Sequence, residues 1–270
     1  MKLTDKRVLL TGASGGIGQA LAFELASLGA RLILVGRNGP AMNELVKRLP
    51  APENHQVMTV NNYSHDEISQ LRELLQYEPR LDVLINNAGT QCFRWLEKQS
   101  FGDIHAQLYT NTEVPILLTR VLLDRFNAEG MVVNVGSIMG DIGYPGYSLY
   151  CASKFALRGF SEALSRELAD TGIRVVYVAP RATDTPLNSE AMVEMNRLLG
   201  NKSDSPQWVA SQIIAAMHKR RSRTRLGFPE RFFVKINALI PALVDNALIR
   251  KLAIIQQFAR ASLTPGAKKS

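Results

Sequence analysis

The chain has 270 residues, of which 46% are hydrophobic, 21% charged and 7% aromatic. That composition suits one soluble α/β domain with a large core, and it excludes a disordered, fibrous or disulfide-stapled protein. The formal net charge of +8 is uneven: residues 219–270 hold 12 Lys or Arg against 2 Asp or Glu, leaving the rest of the chain slightly acidic, which excludes a basic, nucleic-acid-binding core.

The opening Met1-Lys2-Leu3-Thr4-Asp5-Lys6-Arg7 runs straight into an apolar strand, Arg7–Thr11, which predicts no removable export signal and a cytoplasmic location. The run Thr11-Gly12-Ala13-Ser14-Gly15-Gly16-Ile17-Gly18 follows, and a helix is predicted over Gly16–Leu28. Missing side chains at Gly12, Gly16 and Gly18 let the backbone turn sharply and approach a pyrophosphate at the helix N-terminus. The same run could be a mere tight turn, but its place between strand and helix favours a nucleotide.

A second strand, Arg31–Val35, ends at Gly36-Arg37-Asn38 before a helix over Pro40–Leu49. An acid at that end would accept bonds from a free ribose 2′-hydroxyl, whereas a cation meets a 2′-phosphate. Arg37 therefore predicts NADP(H); NAD(H) is the alternative, with Arg37 a solvated loop cation. A third strand, Val57–Val60, leads through Asn62 to Ser64 and Glu67, a capping box opening a helix over Asp66–Tyr77. A fourth strand, Leu81–Asn86, runs into Asn87-Ala88-Gly89. One long helix is predicted over Gly102–Phe126, carrying Asn111, and a fifth strand, Met131–Val135, precedes Ser137.

The next helix, Tyr147–Asp170, carries Tyr150 and Lys154. At i and i+4 they project from one face, so the ammonium lies close enough to the phenol to favour phenolate. A phenol of ordinary pKa about 10 thereby becomes a proton donor or acceptor near neutral pH. Tyr144 and Tyr147 lack a lysine at that spacing. In the same helix Leu157, Phe160, Leu164 and Leu168 read as a core or subunit-contact stripe. A sixth strand, Arg174–Ala179, is followed by Pro180-Arg181-Ala182-Thr183-Asp184-Thr185, and Ser205-Pro206 caps a helix over Pro206–Lys219. Val-, Ile- and Leu-rich runs alternating with amphipathic stretches predict a doubly wound parallel sheet. Cys92 and Cys151 show no metal-ligand spacing and read as unpaired thiols, Cys151 as packing or pocket wall.

The ordered set Thr11 to Gly18, Asn87-Ala88-Gly89, Asn111, Ser137, Tyr150 and Lys154 resembles the short-chain dehydrogenase/reductase family over about residues 5–220. The resemblance implies a Rossmann domain over 1–225 and an oxidoreductase that interconverts a carbonyl and an alcohol, assembled as a homodimer or homotetramer. It implies that Tyr150 is the general acid or base, and that Lys154 lowers its pKa and holds the nicotinamide ribose. Ser137 would bond the reacting oxygen, and Asn111 would support a water-linked proton path to Lys154. Cofactor contacts then fall on Thr11, Gly12, Ser14, Gly15, Gly16, Ile17, Gly18, Arg37, Asn62, Asn87, Ala88, Gly89, Tyr150, Lys154, Pro180, Thr183 and Thr185, with no metal.

Two positions depart from the family pattern. Asn62 stands where an aspartate usually lies beside the adenine. Arg181 replaces a usual glycine, so its φ is either negative or strained, and it reads as a surface arginine, with contact to an anionic group of substrate or cofactor as the alternative. Two other readings stay open: a catalytically silent nucleotide sensor or scaffold, which the intact Ser137, Tyr150 and Lys154 oppose, and an epimerase or dehydratase of the extended relatives, which the glycine spacing opposes.

A flap over about 183–205, with Leu187, Met192, Met195, Leu198 and Leu199, suits an apolar small-molecule substrate. Residues 226–270 form an amphipathic extension whose apolar runs are interrupted by Lys235, Pro241, Asp245, Arg250 and Lys251, too often for a membrane span. Residues 219–260 fit two occupants evenly, a peripheral contact with an anionic membrane or packing on the core or another subunit. No nucleic-acid partner is expected.

Overall fold

The computed structural model describes residues 2–219 and 222–261. Arg220, Arg221 and residues 262–270, part of the predicted basic tail, lie outside the described residues.

Seven parallel strands form one sheet in the order β3-β2-β1-β4-β5-β6-β7. They are β1 Arg7–Thr11, β2 Arg31–Gly36, β3 Gln56–Thr59, β4 Leu81–Asn86, β5 Phe126–Val135, β6 Arg174–Ala179 and β7 Arg223–Arg225. Because side chains alternate across a strand, each continuous apolar run feeds both faces. Val8, Leu10, Leu32 and Leu34 join one core, and Leu9, Ile33 and Val35 the other. Helices α1 Gly16–Ser27, α2 Gly39–Arg48 and, further along, α8 Pro206–His218 cover the first face. On the second lie α3 His65–Gln76, α5 Val114–Leu122 and α6 Ser148–Glu167.

Local signals place the helix starts. Ser64 accepts from the Glu67 amide while Glu67 returns a bond to the Ser64 amide, which is the predicted capping box. Ser205 accepts from Trp208 N at 3.2 Å, with Pro206 in the first turn of α8.

The single long helix predicted over Gly102–Phe126 is not one helix. It consists of α4 Phe101–Leu108, a π-helical turn at Tyr109–Glu113, α5, and a short 3-10 turn at Leu123–Arg125, and β5 starts already at Phe126. The turn itself, Tyr109-Thr110-Asn111-Thr112-Glu113, is polar and buries Asn111, and nothing in its local sequence marks a change of helix type. Strand β7 lies in the basic run that sequence pattern left unassigned: its Arg223 and Arg225 are charged, but its backbone completes the sheet edge beside β6. The flap contains α7 Glu190–Leu198, and the extension forms α9 Glu230–Leu239, α10 Pro241–Arg250 and α11 Leu252–Ala261.

Candidate active site

Strand order reverses between β1 and β4, and the C-terminal ends of those strands open the crevice where α/β sheets take ligands. Gly12 has φ +67°, and a Cβ there would lie 2.7 Å from Ala88 Cα; one at Gly18 would lie 2.1 Å from the Gly12 carbonyl oxygen. Only glycine fits either place. No side chain caps α1 at Gly15, so the first-turn amides at Gly16 and Ile17 are available to an anion. The Ser14 carbonyl accepts from Gln19 Nε2 at 2.9 Å, which braces the loop.

Thr11 and Asn87 pin this loop to the end of β4. Thr11 Oγ1 accepts from the amides of Asn87 and Ala88, each at 3.0 Å, and donates to the Ile85 carbonyl at 3.3 Å. Asn87 Nδ2 donates to the carbonyls of Thr11 at 3.0 Å and Gly12 at 3.2 Å. Thr185 reaches the loop from the opposite side: a Cβ at Gly16 would meet its Cγ2 at 2.7 Å.

Arg37 is exposed at the end of β2 and makes no ion pair among the described residues. Its charge nonetheless acts on the buried Tyr63 hydroxyl, whose pKa burial raises and Arg37 lowers. Asn38 caps α2, accepting from Ala41 N at 3.0 Å. Asn62 is exposed, and its Oδ1 accepts from Ser64 N at 2.9 Å. The Asn61, Asn62 and Ser64 amides donate to Glu67 and hold its carboxyl below the usual range.

Ser137 follows β5 through Gly136, where a Cβ would lie 2.2 Å from the Tyr177 ring. The Ser137 hydroxyl accepts from Met139 N at 3.1 Å and is hydrogen-bonded to the Tyr150 side chain. Helix α6 holds Lys154 buried, with Nζ donating to the Val135 carbonyl at 3.1 Å and lying 5.7 Å from the centre of the Tyr150 ring.

The expected lowering of the phenol by Lys154 does not appear. Burial pushes Tyr150 up to about 12, against a smaller downward pull from its Ser137 bond. Burial pushes Lys154 down to about 8. Desolvation is the largest cause at both groups, and the ammonium donates to the Val135 carbonyl.

Asn111 is fully buried in the π turn. Its Oδ1 accepts from Thr90 N at 2.8 Å, and its Nδ2 donates to the Thr90 carbonyl at 2.8 Å and to Ser153 Oγ at 3.0 Å. Gly89 lies between the groups: a Cβ there would sit 3.3 Å from Asn111 Oδ1 and 3.7 Å from Lys154 Nζ. The side chain of Asn111 is thus spent on locking the Asn-Ala-Gly segment to α6, a positioning task.

Beyond β6, the buried Pro180 accepts from Ile138 N at 2.9 Å, and the buried Thr183 donates from Oγ1 to the Arg181 carbonyl at 3.1 Å. Arg181 is not a surface residue. Its φ is not among the positive values, which fall on Asp5, Ala51 and Tyr63 among the described non-glycine residues, so the missing glycine costs no backbone strain. Its side chain is only 12% exposed and grips Asp204 through Nε at 2.9 Å and Nη2 at 2.7 Å, and Glu230 through Nη1 at 3.1 Å. One guanidinium therefore ties the start of the flap to its end and to α9. Arg181→Ala is expected to lower stability by about 2 kcal/mol, since it leaves two partly buried carboxylates unpaired. Urea unfolding checks this, and an unchanged midpoint would refute it.

Phe93, Tyr147, Cys151, Met192, Met195 and Ile255 form a buried apolar cluster to which the Tyr150 ring is packed. Met192 and Met195 of the predicted flap face this cluster, whereas Leu187 and Leu198 are exposed. Cys151 is buried there, packed in the cluster. Sequence pattern missed four residues that shape the site: Thr90, Ser153, Tyr177 and Gln91. Gln91 Nε2 donates to the Leu187 carbonyl at 3.1 Å and to Asn188 Oδ1 at 3.0 Å, fastening the flap. Its place directly after Asn-Ala-Gly and Thr90 is the one signal that pointed to it. No cluster of potential metal ligands occurs among the described residues.

Residues 6–196 match the family model for short chain dehydrogenase. The chain is 32% identical to Dehydrogenase/reductase SDR family member 7B of Bos taurus, over 87% of this chain and 78% of that protein. It is 30% identical to the NADP-dependent 3-hydroxy acid dehydrogenase of Schizosaccharomyces pombe, over 82% of this chain and 90% of that one. A short-chain dehydrogenase structure from Streptomyces avermitilis superposes with a TM-score of 0.78 at 28% identity, covering 94% of this chain and 98% of that one. With the glycine cradle, the Ser137–Tyr150–Lys154 cluster and the reversed strand order in one crevice, the chain belongs to the short-chain dehydrogenase/reductase family, oxidoreductases that interconvert carbonyl and alcohol groups with a nicotinamide cofactor.

Proposed function

We propose that the protein is an NADP(H)-dependent reductase of an apolar carbonyl compound, with Tyr150 as the proton donor. The carrying observation is the Tyr150 phenol, held by Ser137 beside an apolar cluster and pushed up to about 12. At neutral pH it is protonated, the form that reduction of a carbonyl consumes.

The crevice fits a dinucleotide: a glycine cradle that any Cβ would fill, uncapped amides on α1, and an unpaired cation at the end of β2. Such a cofactor supplies the hydride. Gly12, Gly15, Gly16, Ile17 and Gly18 let backbone approach the pyrophosphate, Thr11 and Asn87 hold the loop in shape, and Thr183 and Thr185 close over it from β6. Ser137 Oγ donates to the substrate oxygen as negative charge develops there, and Tyr150 passes its proton to the same oxygen. Lys154 holds positive charge beside the phenolate left behind, and Asn111 keeps α6 and Gly89 in register. The apolar cluster packed beside the Tyr150 ring supports an apolar substrate body.

NADPH consumption against a panel of apolar ketones and aldehydes tests this. Tight NADPH binding without turnover of any of them would return the sensor reading. The name of the fission-yeast relative supports NADP(H), and so does Arg37. Arg37→Ala is expected to weaken NADPH binding about tenfold, as loss of a charged hydrogen bond would, and to leave NADH binding unchanged. Fluorescence titration of both cofactors reads it; equal losses for the two would remove Arg37 from the phosphate.

A further inference from the structure

Helices α9 and α10 carry apolar side chains that are exposed among the described residues. One face of α9 is anchored: Val234 packs with Ile138 and Tyr177, Glu230 is held by Arg181, and Asn237 Nδ2 donates to the Asp141 carbonyl at 3.1 Å. These residues recur at helical spacing, so Phe232, Lys235 and Leu239 fall on the opposite face. Leu239 is 81% exposed, and Ile240 between the helices and Leu243 and Ile249 on α10 are exposed at 54%, 56% and 63%. Of α10 only Val244 is buried.

Charge selects the occupant. Arg231, Lys235 and Arg250 are exposed and Lys251 is half-buried, and none of the four makes an ion pair among the described residues. Glu230 is spent on Arg181, which leaves Asp245 as the only unpaired acid of the pair of helices. An apolar face rimmed by free cations complements a lipid surface whose acyl boundary takes Phe, Leu and Ile while its anionic headgroups take Lys and Arg. A second copy of the chain would instead oppose cation to cation. No helix among the described residues is long and apolar enough to cross a membrane.

We propose that α9–α10 docks in the interface of an anionic membrane, lying in its plane. From this pair α11 returns to α7, where Ile255 and Ala259 complete the apolar cluster beside Tyr150. The binding itself is independent of which carbonyl compound is reduced and of the cofactor preference.

Co-sedimentation of the full-length protein with vesicles tests it, using phosphatidylcholine alone and phosphatidylcholine mixed with phosphatidylserine. The expected result is binding to the mixed vesicles only, released by high salt. Arg231→Glu with Lys235→Glu weakens it at least about tenfold, and so does Phe232→Ser with Leu239→Ser, while NADPH binding in both variants stays at the wild-type level. Failure to bind the mixed vesicles, or equal binding to both kinds, overturns the proposal. So does a wild-type dimer, seen by light scattering, that Phe232→Ser with Leu239→Ser dissociates while vesicles are ignored, because the face then belongs to a second copy.

Discussion

Tyr150→Phe is expected to lower kcat for carbonyl reduction by about 10³-fold while changing NADPH affinity less than about twofold, because it removes the proton donor and little else. The ring packs against Tyr147, with centroids 6.3 Å apart, and phenylalanine keeps that contact. What is lost is the hydroxyl bonded to Ser137. Single-turnover kinetics with NADPH and a reducible ketone, alongside a binding titration, separates the two quantities. Turnover near the wild-type rate would move the proton donor elsewhere, and Tyr147, buried with its hydroxyl pushed even higher, is the neighbouring phenol to examine.

Lys154→Met is expected to do two opposite things. Activity should fall by at least about 10²-fold, since no positive charge then stands beside the phenolate. Stability at neutral pH should rise, because the drop of Lys154 from its ordinary 10.5 to about 8 marks a buried ammonium that the fold disfavours. That drop corresponds to roughly 3 kcal/mol, offset in part by leaving the Val135 carbonyl unpaired, for a net gain of about 2 kcal/mol.

The sign of the pH dependence follows from the folded value lying below the unfolded one. The unfolded chain binds the extra proton between about pH 8 and 10.5, so wild-type stability rises with pH across that window. The advantage of the variant is largest below pH 8 and vanishes above the window. For the same reason wild-type reduction should decline as pH climbs through about 8 and the ammonium is lost. Thermal melts from neutral to alkaline pH check the first expectation and a pH–rate profile the second. A variant less stable than wild type at neutral pH would mean that the ammonium is better compensated than its burial indicates.

Much of the architecture is written locally. Short continuous apolar runs such as Val8-Leu9-Leu10 and Leu32-Ile33-Leu34-Val35 suit strands buried on both faces, and their alternation with amphipathic helices points to parallel order. The capping serines and the prolines of the first turn mark helix starts within a residue or two, because a cap is a contact between neighbours in the chain. Gly12 and Gly18 were legible for the same reason: glycine between strand and helix announces a backbone that must come close to something.

The sequence by itself determined six of the strands, the glycine cradle and the i, i+4 placement of Tyr150 and Lys154, since each depends on residues a few positions apart. Tertiary structure alone decided the rest. The π turn exists where Asn111 meets Thr90 and Ser153, partners 21 and 42 positions away. Arg181 became a partly buried clamp when folding brought Asp204 and Glu230 to it. The short, charged β7 is a strand only because β6 offers it an open edge. The direction in which Tyr150 and Lys154 are shifted was hidden too. Spacing sets how near two charges stand, but desolvation by side chains from distant elements sets what each charge costs, and in this crevice desolvation is the larger effect.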